Sequence, residues 1–142
     1  MFSRIALAKM IDYSLLRPDA SDEDVIRYCD EAVDLHFACL MVLPCWCQLA
    51  ERRLRGSDVK VGTVIAYPLG AVPTSVKVYE TRQAINNGAA ELDIVINIPA
   101  LKSHDYATVQ RDLDEVVTVA DLAGLTEDGE DILTKAIIEV GV

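Results

Sequence analysis

The chain has 142 residues, of which 51% are apolar and 25% charged, so it is long enough to bury one sizeable core. Its formal net charge of -10 repels phosphate backbones and anionic membranes, and its 13 lysines and arginines are scattered without a basic stripe. We therefore expect one domain over residues 1–142 that binds neither nucleic acid nor membranes.

The N-terminal residues and the cysteines predict a soluble, cytoplasmic protein. No charged-then-apolar leader precedes Ile5, and no apolar run approaches the ~20 residues that a membrane-spanning helix needs. The cysteines have neither the spacing of a zinc knuckle nor that of a secreted disulfide framework; they are Cys29, Cys39, Cys45 and Cys47. Free thiols in a reducing compartment are the expectation.

Strand and helix patterns alternate from the start of the chain. Residues 11–16 predict a short first strand that ends before Pro18, because proline disfavours helix at the residue before it. The next helix begins at Ser21, which has Asp24 at approximate capping-box spacing. The apolar residues that share one face of this helix are Val25, Ile26, Cys29 and Val33.

The remaining predicted elements continue the alternation. They are a strand over 37–43, a helix over about 46–55, a strand over 59–65, a loop over 67–73, a helix over 74–86, a strand over 91–97, a helix over about 105–123, a loop over 126–131 and a strand over 132–140. The first of these strands is a continuous apolar run, the pattern of a strand covered on both faces. Five strands separated by four helices require parallel pairing with right-handed crossovers, so the fold class is α/β.

Side chains alternate across the fourth and fifth predicted strands. In the fourth strand Glu91 and Asp93 share one face while the other face is apolar, and in the fifth strand Lys135 lies on the face opposite to its neighbours. A doubly wound sheet meets helices on both faces, whereas strands of a barrel can point polar groups into a shared interior. The alternation therefore favours a barrel.

Asp93 is the first candidate for chemistry because it stands inside an apolar strand. Burying an unpaired charge costs several kcal/mol or forces a large pKa shift, so this carboxylate needs a partner or a task. Lys135 is the only lysine inside a strong strand pattern, and burial could free its amine for imine chemistry. A purely structural ion pair between Asp93 and Lys135 is the open alternative.

Four weaker candidates accompany Asp93 and Lys135. Asp12 lies near one end of the first strand and either joins the same polar network or caps a turn. Glu139 shares the alternation of Lys135 and is either a supporting acid or a solvated residue at the strand end. His36 and His104 lie in connections without matching ligands, so we expect surface residues and no metal site.

Five segments of the chain together carry a family resemblance. They are residues 11–18 (IDYSLLRP), 37–46 (FACLMVLPCW), 63–70 (TVIAYPLG), 91–97 with 100–103 (ELDIVIN and ALKS) and 135–139 (KAIIE). In order and spacing they resemble the N-terminal part of deoxyribose-phosphate aldolase, across nearly the whole chain.

The resemblance implies a (β/α)8 barrel and a class I aldolase of deoxyribonucleotide catabolism. Such an enzyme cleaves 2-deoxy-D-ribose 5-phosphate reversibly to glyceraldehyde 3-phosphate and acetaldehyde through a lysine imine, or Schiff base, without a metal or other cofactor. Asp93 matches the family's catalytic aspartate, which helps move protons during imine formation. Lys135 stands where the family has an active-site lysine that is not the nucleophile, so its implied role is that of an electrostatic partner of Asp93. With Asp12, these are the predicted catalytic residues.

The resemblance covers about five of eight barrel strands, since a complete barrel needs about 250 residues. The resemblance places the imine-forming lysine on the sixth strand, a partner lysine on the seventh strand and the phosphate-binding residues in the last loops. All of these lie beyond Val142. We therefore expect a partial barrel of about five parallel strands and four to five helices, inactive or nearly so as an isolated chain. Three residues depart from the family's usual ones: Met41, Leu43 and Pro99. If they change the shape of the site, we expect the change at its mouth.

The length of the chain also admits an alternative function. About 140 residues suits a non-catalytic domain of five parallel strands, flavodoxin-like in size, that binds a small ligand or a partner. A partial barrel would instead leave its first and fifth strands unpaired and apolar surface exposed, so we expect a homo-oligomer or other association.

Overall fold

Five parallel strands and six α-helices make up the computed structural model, which describes residues 2–126 and 129–141. In chain order the elements are α1 (Arg4–Ala8), β1 (Asp12–Leu15), α2 (Asp22–Leu35), β2 (Cys39–Val42), a 3-10 turn (Pro44–Trp46), α3 (Cys47–Leu54), β3 (Lys60–Ile65), α4 (Thr74–Asn86), β4 (Glu91–Val95), α5 (Ile98–Lys102), α6 (Tyr106–Ala123) and β5 (Leu133–Ile137). Among these residues, no helix combines the length and the apolarity needed to cross a membrane.

Local sequence determines where the longer helices begin and end. The Asp24 N–H donates to the Ser21 hydroxyl and the Ser21 N–H donates to the Asp24 carboxylate, which confirms the predicted capping box of α2. After α4, Gly88 has φ +92°, the left-handed backbone that the predicted helix end requires.

The sheet follows the order of the chain, β1-β2-β3-β4-β5, and every neighbouring pair is parallel. Strands that are added in one direction only are typical of a barrel. A flavodoxin-like sheet has the order 2-1-3-4-5, so this sheet is not of that type.

The sheet curls until its two outer strands face each other. Four strand spacings would put β1 and β5 about 19 Å apart in a flat sheet. Asp12 on β1 and Lys135 on β5 nevertheless touch, with 2.5 Å between Asp12 Oδ2 and Lys135 Nζ. The five strands therefore form a strongly curved wall, and these two side chains lie on its concave face.

The four longer helices cover only the convex face. One continuous core joins buried residues of α2, α3, α4 and α6 to strand residues of a single alternation, among them Leu15, Leu40, Val42, Ile65, Leu92 and Ile94. On the other alternation, Cys39, Met41 and Val64 form a small separate cluster. A parallel sheet with helices outside and its own inner face is the wall of a (β/α)8 barrel, as the sequence predicts.

Two predicted details of this architecture are wrong. The last strand is shorter than the predicted 132–140, because Glu139 has φ +49° and an extended strand cannot continue through that conformation. The helices α1 and α5 have no counterpart in the prediction, since five residues are too few to show a helical period.

Candidate active site

Lys135 gathers three carboxylates on the concave face of the sheet. Its Nζ donates a hydrogen bond to Asp12 Oδ2 at 2.5 Å and lies 2.9 Å from Glu91 Oε2 and 3.1 Å from Asp93 Oδ1. The side chain of Asp12 is 36% exposed, that of Lys135 31%, that of Asp93 20% and that of Glu91 13%. We call these four side chains the Lys135 cluster.

Strand register explains how the cluster forms. Asp93 and Lys135 are direct partners on β4 and β5. Because successive residues point to opposite faces, Glu91 shares the face of Asp93, two residues earlier on the same strand. Asp12, the first residue of β1, reaches Lys135 across the curved wall. Three strands thus bring one ammonium group and three carboxylates to one place.

The three carboxylates determine the charge of Lys135. Partial burial by itself would lower the pKa of this ammonium group, because a charge is less stable away from water. The contacts with Asp12, Glu91 and Asp93 outweigh burial and hold the pKa of Lys135 well above its ordinary value. Lys135 is therefore positively charged at neutral pH and has no lone pair with which to attack a carbonyl.

Cys39 of β2 lies beside the cluster. Its sulfur and one carboxylate oxygen each from Asp12 and Glu91 are within 4.8 Å of one another, a spacing that a metal ion could use. The Lys135 ammonium group, however, contacts both carboxylates at 2.5 and 2.9 Å. Burial also raises the pKa of Cys39 well above its ordinary value, so this thiol is neutral and a poor metal ligand. We assign no metal to this place.

Residues 6–127 match the family model described as DeoC/LacD family aldolase. The chain belongs to this aldolase family. The match confirms the resemblance that the five sequence segments carry.

The relatives of this aldolase-family chain are longer than the chain itself. The deoxyribose-phosphate aldolase of Thermococcus gammatolerans is 52% identical over 116 residues, which are 80% of this chain and 52% of the relative. That of Halalkalibacterium halodurans is 46% identical over 138 residues, 96% of this chain and 58% of the relative. The chain thus spans about half the length of the curated relatives it matches.

Solved structures share the fold of this aldolase-family chain. The putative deoxyribose-phosphate aldolase of Coccidioides immitis superposes with a TM-score of 0.87 at 32% identity, over 96% of this chain and 51% of that one. The deoxyribose phosphate aldolase of Aeropyrum pernix, described as a tetramer, gives 0.83 at 32% identity, over 96% and 54%. The predicted class, an incomplete aldolase barrel, is confirmed.

The structure brings the three predicted site residues of this family member together. Asp12, Asp93 and Lys135 all belong to the Lys135 cluster, and Asp12 joins the polar network, one of its two predicted alternatives. The ion pair expected between Asp93 and Lys135 has 3.1 Å between Oδ1 and Nζ. The catalytic roles of these residues stay predictions.

The other candidates lie apart from this arrangement. Glu139 follows the end of β5, so its predicted alternation with Lys135 is wrong. His36 and His104 are exposed, as expected, and each contacts a neighbouring side chain. His36 Nδ1 lies 3.0 Å from an oxygen of Asp58, and His104 Nδ1 lies 3.0 Å from the hydroxyl of Tyr106.

The sequence did not predict that Glu91 contacts Lys135. The alternation of Glu91 with Asp93 was the available signal, because it places both carboxylates on one face of the strand. Its contact with Lys135 depends on the pairing of β4 with β5 and on the reach of a long side chain, which alternation does not reveal.

A second cluster, built on a fully buried ion pair and also missed, supports the end of β4. Lys77 of α4 and Asp112 of α6 are 0% and 1% exposed and form an ion pair with 2.8 Å between Nζ and Oδ2. Lys77 Nζ also donates to the Val95 carbonyl at 3.0 Å, and the Thr74 hydroxyl donates to Asp112 Oδ1 at 2.5 Å. Val95 is the last residue of β4, two residues after Asp93, so the network anchors the strand that carries the candidate acid.

The loop after β3 packs against the same strand end. Ala66 has φ +56°, and its N–H donates to the Glu80 carboxylate at 2.8 Å. Gly70 has φ +65° and lies so close to the backbone after β4 that an added Cβ would meet the Ile96 carbonyl oxygen at 1.8 Å. The loop therefore forms a closely fitted rim at the carboxyl end of β4.

The three departures from the family pattern fit the local structure. Met41 lies on the inner face, where its sulfur is 3.6 Å from the sulfur of Cys39. Leu43 is partly buried against the same small cluster. Pro99 lies in the first turn of α5, where a helix needs no N–H from that residue.

Two surface pockets of the described structure lie outside the Lys135 cluster. One, of about 550 Å³, is lined by Glu51, Lys60 and Ala90 near the amino ends of the strands. The other, of about 520 Å³, is lined by Tyr67 and Tyr79 beside the loop after β3. The Lys135 cluster lines neither of them and lies on the open concave wall.

Proposed function

We propose that this chain forms the acid–base side of the active site of a deoxyribose-phosphate aldolase. The reaction is the reversible retro-aldol cleavage of 2-deoxy-D-ribose 5-phosphate to glyceraldehyde 3-phosphate and acetaldehyde through a lysine Schiff base. Family membership supports the reaction type, and the names of the relatives support the substrate. The observation that carries the proposal is the Asp93 carboxylate held 3.1 Å from a charged lysine on the inner wall of the barrel.

The three predicted catalytic residues of the cluster have distinct proposed roles. Asp93 accepts and returns the protons that imine formation and hydrolysis require. Lys135 acts through its fixed charge and holds the Asp93 carboxylate in place, since an ammonium group whose pKa lies far above neutrality is a poor proton donor. Asp12 anchors Lys135 from the opposite strand. Three carboxylates around one ammonium group leave excess negative charge on this wall, which favours a cationic iminium nearby.

The imine-forming amine is proposed to come from outside these residues. Lys135 is held as an ammonium ion by its carboxylates, and Lys77 is buried in an ion pair with Asp112. Lys9 pairs with Asp58, and Lys60 pairs with Glu130. Lys102, at the end of α5, is exposed. None of the five lysines in the described part of the chain is thus prepared as a neutral nucleophile beside Asp93, so the 142-residue chain alone should show no or only residual turnover.

The wider setting follows the same proposal. The substrate is a phosphorylated sugar, the pathway is deoxyribonucleotide catabolism, and the location is the cytoplasm, which the free thiols of Cys29, Cys39, Cys45 and Cys47 favour. A homo-oligomer is proposed as the working form, with a tetramer described for the Aeropyrum pernix relative.

A chimaera tests the proposed reaction. The 138-residue stretch of the Halalkalibacterium halodurans aldolase that matches this chain is replaced by this chain. We expect retro-aldol turnover of deoxyribose 5-phosphate that Asp93→Asn reduces by at least 100-fold, the lower range for loss of a general acid–base group. Asp114→Asn, which removes an exposed carboxylate on α6, should leave turnover unchanged. A folded chimaera without turnover would contradict the proposal and favour a non-catalytic binding domain.

A further inference from the structure

Glu91 has the geometry to control the charge state of Lys135. Its Oε2 lies 2.9 Å from Lys135 Nζ, and it is the least exposed of the three carboxylates in the cluster, at 13%. An attraction between charges strengthens as water is excluded, so the most buried carboxylate is screened least. Glu91 also shares a strand face with Asp93, so one ammonium group reaches both.

The Lys135 ammonium group faces three carboxylates and donates a hydrogen bond to that of Asp12. A protonated lysine has three N–H donors and no acceptor. Three carboxylate oxygens lie within 3.1 Å of Lys135 Nζ, one each from Asp12, Glu91 and Asp93. The neighbouring Cys39 thiol is neutral and adds no competing charge. An amine in these surroundings keeps all three protons, whereas imine formation needs a lone pair.

We propose that Glu91 is a positioning residue that keeps Lys135 charged and fixed beside Asp93, and so prevents Lys135 from acting as the imine-forming amine. The use of that fixed charge in catalysis rests on the proposed aldolase function. The charge itself does not, because it follows from the three contacts alone.

Labelling of Lys135 tests this role in the 142-residue chain without any measurement of activity. The chain is treated with trace acetic anhydride between pH 8 and 10, and the acetylation rate of each lysine is determined by peptide mass spectrometry. The side chain of Lys135 is 31% exposed, so the reagent can approach it, and the Glu91 variants below separate the effect of charge from that of access. Lys102, which is exposed, serves as the internal reference. We expect Lys135 to react at least tenfold more slowly than Lys102 at pH 10.

Replacement of Glu91 should make Lys135 easier to deprotonate and therefore more reactive. An opposite charge within a few ångströms shifts a pKa by about 1–3 units, so Glu91→Gln should speed the labelling of Lys135 tenfold or more at fixed pH. Glu115→Gln removes the same charge from an exposed position on α6 and should change nothing. Glu91→Asp keeps the charge but withdraws it by one methylene group, so an intermediate rate is expected. If Glu91 had a purely structural role, the labelling rate of Lys135 would not increase from the wild type to Glu91→Asp and then to Glu91→Gln.

Two results would overturn the proposal. The first is wild-type Lys135 that labels as fast as Lys102, and the second is Glu91→Gln that labels like the wild type while the buried thiols stay protected. If Glu91→Gln exposes those thiols, the variant has unfolded and Glu91→Asp decides in its place, by an intermediate or an unchanged rate. Because no turnover is measured, an inactive chimaera would count against the aldolase reaction and leave this result standing.

Discussion

Lys77 of α4 and Asp112 of α6 form an ion pair in the interior of the protein, with 2.8 Å between the ammonium nitrogen and a carboxylate oxygen. The same ammonium group donates to the carbonyl of Val95, at the end of the strand that carries Asp93. The helix layer and the candidate site are therefore joined through one buried side chain.

Loss of Lys77 should destabilise the fold strongly. Lys77→Met leaves the Asp112 charge buried without its cation, and breaking a buried pair in this way costs about 3–5 kcal/mol. Urea unfolding measures the change in the free energy of unfolding. Arg53→Met, which breaks an exposed pair with Asp30, is the control and should cost about 1 kcal/mol or less.

The double variant Lys77→Met/Asp112→Leu should recover much of the loss, because both charges are then absent. A Lys77→Met variant no less stable than Arg53→Met would contradict the buried pair.

Gly70 should tolerate a side chain less well than Gly56. Both have positive φ, +65° and +78°, so alanine at either position costs about 1–2 kcal/mol in backbone strain. An added Cβ at Gly70 would also meet the Ile96 carbonyl, whereas at Gly56 nothing lies within 4 Å. Gly70→Ala should therefore lose clearly more stability than Gly56→Ala in thermal unfolding. Equal losses would show that the rim does not pack against the backbone after β4.

The thiols should differ sharply in reactivity. Burial raises the pKa of Cys29 to about 11 and also raises the pKa values of Cys39 and Cys47, while Cys45 is exposed. At pH 8 Ellman's reagent should modify one thiol per native chain, at Cys45. Fast reaction of two or more thiols in the native chain would argue against the described core.

The same thiols predict a loss of stability in alkali. A thiol of the unfolded chain ionises near pH 9, whereas that of Cys29 keeps its proton until about pH 11 in the folded chain. The folded state then binds more protons than the unfolded state, so the free energy of unfolding falls as pH rises from about 9 to 11. Cys29→Ala should flatten this fall in urea titrations.

The 142-residue chain should associate in solution. β1 and β5 are the margins of the described sheet, and Leu133, Ile138 and Val140 on or after β5 are 49%, 61% and 89% exposed. Ile138→Lys should weaken association, because a charge at a strand margin opposes pairing. Leu122→Lys, at an 82% exposed position on α6, is the control. A stable monomer at micromolar concentration in light scattering would contradict this expectation.

Much of the fold can be predicted from this sequence because its local and long-range patterns agree. The capping box at Ser21 and Asp24, the apolar run that becomes β2 and the alternation around Asp93 each specify one element or face. The contact of Asp93 with Lys135 follows from parallel pairing of consecutive strands, which is why the central pair of the site is predictable.

Other parts cannot be predicted because they depend on tertiary contacts. Lys77 and Asp112 lie on helices 35 positions apart, where a charged residue ordinarily faces water, and only the packing of α4 on α6 buries them together. The contact of Asp12 with Lys135 depends on the curvature of the whole sheet. Glu139 fits the alternation but adopts a backbone conformation that the sequence does not signal.

Reductive trapping in the chimaera tests the central claim, that Lys135 is the charged partner of Asp93 and not the nucleophile. The chimaera is incubated with acetaldehyde, reduced with borohydride and searched for adducts by peptide mass spectrometry. The account predicts one stoichiometric adduct on a lysine outside residues 1–142, with Lys135 unmodified. A stoichiometric adduct on Lys135 would contradict it.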